Sequence, residues 1–281
     1  MVLLNLKEHS AKASGEAFIR DLYSLSLAAF ADPRKKLTSK ETDFTDQFVL
    51  ALRTAEEAYY RDFVTSAVAT MALLVRSEHG HAPEALARAF DKMDDIFDLH
   101  YDGEPVARNL ENAGERLYEG AGAGVQTSYA TLLEILERLN LPPNAHITDL
   151  GSGYGRLGLV AGLWRRDLVC SGYEFVSHRA HAANAAAARC GTAERVKFYH
   201  QDLGNDSFMI PEADVYYMYD PFSDDTYEKV LARLCAVGKS RKIAIVTKAI
   251  LPETFLKFVK SGEFREGGTF DSGNVRLLHN L

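Results

Sequence analysis

Residues 147–163 read ITDLGSGYGRLGLVAGL, and this stretch decides the fold. Ile147 to Leu150 is a short apolar run that carries one acid, Asp149. Gly151, Gly153 and Gly155 then allow backbone angles and close approaches that a side chain would forbid, and Leu157 to Trp164 resumes an apolar helical pattern. Strand, glycine turn and helix in immediate succession form a cradle for a nucleotide-type cofactor, because the free N–H groups of a helix start converge on the turn.

Downstream the rhythm continues. Val169–Glu174, Val196–His200, Val215–Tyr219 and Lys242–Thr247 are further short apolar runs with helical patterns between them. Five such strands predict a mostly parallel, Rossmann-like α/β sheet covered on both faces. Phe264–Phe270 and Asn274–Leu278, joined by Asp271-Ser272-Gly273, add a closing antiparallel hairpin and bring the sheet to seven strands. Upstream there is no strand signal. Gly15–Ala31, Thr42–Arg76 and Pro83–Leu99 carry apolar residues at three-and-four spacing, separated by the breakers DPRK (32–35) and HGHAP (79–83). The glycine-rich run YEGAGAGV (118–125) marks the junction between an all-helical N-terminal domain, 1–117, and an α/β domain, 118–281. Ser128 is placed to cap a helix running to Leu139, which LPPN (141–144) stops.

Bulk properties narrow the function. The 281 residues hold 32 Lys and Arg against 39 Asp and Glu, a formal charge of −7, which argues against a broad phosphate-tracking surface and makes nucleic acid the less favoured acceptor. Cys170, Cys190 and Cys235 form no CxxC pair, so buried reduced thiols are expected. His79 with His81 and His178 with His181 lack a third ligand nearby, and no metal is expected. Met1 to Leu6 is too short for a signal peptide, and Val64–Val75 is too short and too polar for a membrane span, so a cytoplasmic location is expected. An apolar helical face serves a core or a homo-oligomer interface equally well.

Two cofactor classes fit the glycine spacing. Gly153-x-Gly155-x-x-Gly158 satisfies the dinucleotide fingerprint, with Glu174 at about the required distance, and so admits NAD. Three neighbours favour S-adenosylmethionine: Asp149 ahead of the loop, Gln201-Asp202-Leu203 after the third strand, and Tyr219-Asp220-Pro221-Phe222 after the fourth. A carboxylate at Asp149 sits badly against a pyrophosphate and suits the cationic amino-acid end of S-adenosylmethionine. Glu174 has two oxygens for the ribose hydroxyls, and Asp202 can accept from the adenine amino group. Each acid falls at the carboxyl end of a strand, where open sheets bind ligands.

DLGSGYGRLGL (149–159), YEF (173–175), QDL (201–203) and YDPF (219–222), in this order, resemble the successive motifs of the class I S-adenosylmethionine-dependent methyltransferases, over roughly residues 118–281. The resemblance implies that Gly151, Gly153, Gly155, Glu174 and Asp202 hold the cofactor, with Asp149 heading the loop, and that FREGGTFDSGNVRLL (264–278) supplies a final antiparallel strand. QTSYATLLEILERL (126–139) is similar to the segment before the first strand in lysine methyltransferases that lack a SET domain, which implies that Gln126, Thr127 and Ser128 cover the cofactor. VYYMYDPFSDDTYEKVLARL (215–234) also looks like a bacterial branch whose fourth strand ends in asparagine-proline-phenylalanine, with Asp220 in place of the asparagine.

Methyl transfer needs a nucleophile aligned with the methyl group, and positioning supplies up to ~7 to 11 kcal/mol in ideal cases. Asp220 is expected to orient an acceptor amine and take its proton, with Phe222 packed against the acceptor. Strand alternation puts Tyr217 and Tyr219 on one face and Tyr216 and Met218 on the other. Arg156 is either a contact for the cofactor's carboxylate or a solvated arginine at a helix start. The expected activity is transfer to an acceptor nitrogen, a protein lysine among the candidates. The alternatives are a small-molecule methyltransferase and a non-catalytic cofactor-binding module. The helical domain is expected to shape the acceptor site.

Overall fold

Short runs of β-branched and aromatic residues, each ending at an acid or a turn, pair into one sheet because they have apolar side chains to bury on both faces. The computed structural model describes residues 10–31, 39–78, 82–99, 126–249, 253–260, 262–270 and 274–280. The strands are β1 (His146–Leu150), β2 (Val169–Glu174), β3 (Val196–His200), β4 (Val215–Tyr219), β5 (Ala244–Lys248), β6 (Phe264–Phe270) and β7 (Val275–Asn280). Their order is β3-β2-β1-β4-β5-β7-β6. β1 to β5 run parallel, while β7 inserts antiparallel between β5 and β6. This is the seven-stranded Rossmann-like sheet with a C-terminal antiparallel pair that the sequence predicts. The chain changes direction across the sheet at β1, whose neighbours are β2 and β4, and this switch point opens a crevice at the carboxyl ends of those strands.

The described N-terminal residues are helical: α1 (Ala11–Ala31), α2 (Ser39–Arg53), α3 (Glu57–Glu78), α4 (Pro83–Phe90) and α5 (Met93–Phe97). Then come α6 (Tyr129–Arg138), α7 (Arg156–Trp164), α8 (Ser177–Arg189), α9 (Asp224–Gly238) and α10 (Glu253–Lys260). Two expected helices are each split. The run expected from Thr42 to Arg76 breaks after Arg53, where the N–H groups of Thr54 and Ala55 turn back to the carbonyls of Ala51 and Leu52 and the Thr54 hydroxyl also donates to Ala51. The run expected from Pro83 to Leu99 breaks at Asp91 and Lys92 and ends at Asp98, a non-glycine residue at φ 63°. Apolar spacing passes through both breaks unchanged, so periodicity could not reveal them. The junction 118–125, the turn 271–273, DPRK (32–35), and His79 and His81 lie outside the described residues.

One apolar core runs from α1 and α3 through α6 and α7 to Ile147, Tyr217 and Val246 on the sheet. α3 is its central strut, lying against α1, α6, α7 and α8. Burial stabilises by about 1.5–3 kcal/mol for each large apolar side chain, and Tyr60, Phe63, Val64 and Met71 of α3 are all fully buried. On the opposite face Leu150, Tyr216, Met218 and Ile245 meet Tyr227, Val230, Leu231 and Leu234 of α9. The alternation expected along β4 is therefore observed, with Tyr217 in the first core and Tyr216 and Met218 in the second.

Candidate cofactor and acceptor site

The glycine loop between β1 and α7 is tied to the end of β2, because the N–H groups of Gly151 and Ser152 both donate to the Tyr173 carbonyl at 2.9 Å. Gly151, Gly153 and Gly155 have φ of 89°, 54° and 82°, the left-handed region that side chains disfavour. A methyl group on Gly151 would also collide with the ring of Pro221, so the segment after β4 closes directly onto the loop. At Gly155 the added carbon would meet the Phe198 ring and, at 2.8 Å, the Ala183 side chain, which lets α7 start hard against α8 and β3.

The acids gather around this loop. Asp149 is 6% exposed, and burial first, then the charge of Glu174, pushes its carboxyl up to about 8. Glu174, at the end of β2, accepts from the Gly153 N–H at 2.7 Å on one oxygen and from the Val176 N–H at 2.9 Å on the other, with Arg179 at 3.8 Å. It clamps the middle of the glycine loop. The Gln201 N–H donates to the Glu174 carbonyl, which brings the segment after β3 alongside, and there Asp202 is half-buried with Oδ1 accepting from the Gly204 N–H at 2.8 Å.

Ahead of β1, the Gln126 amide lies over Gly153, 3.2 Å from where a β-carbon would stand. Thr127 is buried and its hydroxyl pairs with that of Tyr217 at 2.6 Å. Ser128 is the N-cap of α6: its Oγ accepts from the Thr131 N–H at 3.2 Å and donates to the Thr131 hydroxyl at 3.0 Å. The structure thus places Ser128 as the cap of α6.

After β4, Asp220 sits at φ 40°, half-buried, with the Tyr227 hydroxyl donating to its Oδ1 at 3.4 Å. Aspartate is one of the few side chains that tolerates this conformation. Beside it the Lys248 ammonium, opposite in register on β5, stands 4.9 Å over the Tyr219 ring. Phe222 corrects its expected role: it is fully buried, edge-on to Tyr227 at 5.0 Å in the core beneath α9, and packs the strand end in place of touching an acceptor.

Arg156 is not the solvated arginine that one of its expected readings made it. As the first residue of α7 it is 2% exposed and forms a buried hub. Its Nε donates to Asp94 Oδ1 at 3.0 Å, a terminal nitrogen donates to Asp94 Oδ2, and the other donates to Asp91 Oδ1 at 3.2 Å and to the Thr127 carbonyl at 3.0 Å. The guanidinium lies 4.8 Å over the Tyr129 ring, and the Tyr129 hydroxyl donates to Asp94 at 2.8 Å. Asp91, at the turn between α4 and α5, is pushed up to about 6, burial outweighing the nearby Arg156. Sequence reading missed Asp91 and Asp94. Nothing in FDKMDDIF marks them by type or spacing, and the packing of that turn against the start of α7 gives them Arg156 as partner.

Among the described residues no group of three His, Cys, Asp or Glu is placed to hold a metal, and no helix is long and apolar enough to cross a membrane. The chain matches no protein-family model and no curated protein. Solved structures are similar to part of the chain at low identity, with TM-scores below 0.5. A Thermus thermophilus protein, TrmN, is 19% identical with a TM-score of 0.46, over 57% of this chain and 50% of its own, so the chain spans half the length of that protein. An RNA methyltransferase from Salinibacter ruber in complex with S-adenosyl-L-homocysteine is 20% identical with a TM-score of 0.43, over 55% of this chain and 91% of its own. A precorrin-6y C5,15-methyltransferase from Geobacter metallireducens is 14% identical with a TM-score of 0.43, over 57% and 92%.

Proposed function

We propose that the chain is an S-adenosylmethionine-dependent methyltransferase that acts on an acceptor nitrogen. The observation that carries this reading is the pair of buried carboxyls, Asp149 and Glu174, converging on a three-glycine loop at the switch point of the sheet. Glu174 would serve the ribose of either cofactor class, but a second buried carboxyl, Asp149, beside the loop suits a ligand that brings a positive charge there better than a pyrophosphate, which speaks against the dinucleotide alternative. S-adenosylmethionine, when bound, supplies a methyl group on a sulfonium and needs neither a metal nor a covalent enzyme intermediate.

The chain's own residues account for binding and alignment. Asp149 faces the ligand's cationic end, Glu174 holds Gly153 beside the ribose position, and Gln126 and Thr127 cover the loop from above. Asp220 and Tyr219 stand at the end of β4, beside the crevice. The Asp220 carboxylate orients an acceptor amine and takes its proton, a protein lysine being among the candidate acceptors. Calorimetry with S-adenosylmethionine and NAD tests the cofactor. Heat with the first and none with the second is expected, and no heat with S-adenosylmethionine overturns the reading. A tritiated-methyl assay on host lysate, separated into protein, nucleic acid and small molecules, tests the acceptor, with label in protein lysine expected.

A further inference from the structure

We infer that Arg156, gripped by Asp94 of the N-terminal helices, is a positioning residue that holds the segment Gln126–Thr127 over the glycine loop, so the helices govern cofactor affinity as well as acceptor choice. The inference rests on reading the loop as the cofactor site.

The geometry is a chain of fixed points. Asp94 pairs in bidentate fashion with one edge of the guanidinium, and this orients the remaining nitrogen toward the Thr127 carbonyl and Asp91. Thr127 is then held at both ends, by its carbonyl on Arg156 and by its hydroxyl on Tyr217 in the middle of β4. With Thr127 pinned, the preceding residue falls where its amide covers Gly153, whose N–H is already committed to Glu174. The Tyr129 ring beneath the guanidinium and the Tyr129 hydroxyl on Asp94 keep the plane from tilting. A lysine could pair with Asp94 but has no planar fork to reach Thr127 in the same pose. A salt bridge that merely glued helices to the sheet would need only the Asp94 contact. The further bond to a main-chain carbonyl in the covering segment points to positioning.

The test uses the full chain with Arg156→Lys and Asp94→Asn. It reads thermal melting, amide hydrogen exchange without cofactor, and the Kd for S-adenosylmethionine and S-adenosylhomocysteine by calorimetry. Expected are a cooperative melt, faster exchange confined to Gln126–Ser128 and Gly153, and affinity lower by about tenfold or more, the scale of one lost charge-assisted hydrogen bond. If either variant fails to fold, the paired change Asp94→Leu with Arg156→Met replaces the hub by apolar groups and keeps the packing. Restored melting with cofactor affinity still weak supports the inference. Unchanged exchange at Gln126–Ser128, or faster exchange spread equally over α4 and α5 with unchanged Kd, overturns it. Failure of the wild type to bind S-adenosylmethionine removes the cofactor reading and the affinity claim, while the exchange data still decide whether Arg156 positions the segment.

Discussion

Asp149 is where burial changes chemistry most. An ordinary carboxyl has released its proton by pH 5, but in the folded chain this one holds it up to about 8. Between those values the folded state binds a proton that the unfolded state has lost, so this group's contribution to stability falls as pH rises through that window and levels off above it. Asp149→Asn is therefore expected to raise Tm relative to wild type, and more at pH 9 than at pH 7. Asp91, at about 6, shifts in the same sense but is nearly finished titrating by pH 7, so the comparison isolates Asp149. If the proposed cofactor's ammonium docks beside Asp149, binding at pH 7 should release a proton. The calorimetric heat would then change with the ionisation enthalpy of the buffer, and Asp149→Asn would abolish that dependence. Asp220 and Phe222, two positions apart in YDPF, should separate cleanly. Asp220→Asn keeps a residue that tolerates φ 40°, so Tm should hold while kcat falls about 100-fold or more. Phe222→Ala empties a fully buried site and should cost about 3–5 kcal/mol in urea unfolding. The sequence shows both residues in one motif, and only burial separates them, Asp220 half-buried and Phe222 in the core.

At the scale of the element, the strands were legible because short apolar runs bounded by turns admit few other structures. The glycine loop was legible because its glycines are needed one by one. Gly151→Ala should cost at least about 1–2 kcal/mol from the left-handed backbone alone, and more from the collision with Pro221, so weaker cofactor binding and a lower Tm are expected together. Ser128→Ala should fray the first turn of α6 at a cost of ~1 kcal/mol, read by urea unfolding, with a smaller effect on cofactor affinity than Thr127→Val, which severs the bond to Tyr217. The helix breaks at Arg53 and Asp91 were not legible, because local hydrogen bonds make them while the apolar spacing runs on. The second break matters most, since it turns Asp91 and Asp94 toward Arg156.

At the scale of the whole molecule, the N-terminal helices and one face of the sheet share a single apolar core. Removing residues 1–110 should therefore strip α6 and α7 of their cover and leave Arg156 without Asp94, and the remaining chain is expected to lose its cooperative thermal transition by circular dichroism. A sharp melt of the truncated chain would show that the sheet stands alone. The sequence by itself determined the sheet, the glycine cradle and the acids at the strand ends, because each depends on residue type at short spacing: alternation sets a strand, glycine permits the turn, and an acid after a strand lands in the crevice. Tertiary structure alone decided that Phe222 is core, that Ser128 is a cap, and that Arg156 is no solvated arginine but a buried partner of Asp94, Asp91 and the Thr127 carbonyl. Those roles depend on which distant side chain arrives at 3 Å, and Asp94 and Arg156, 62 residues apart, meet only when the chain has folded.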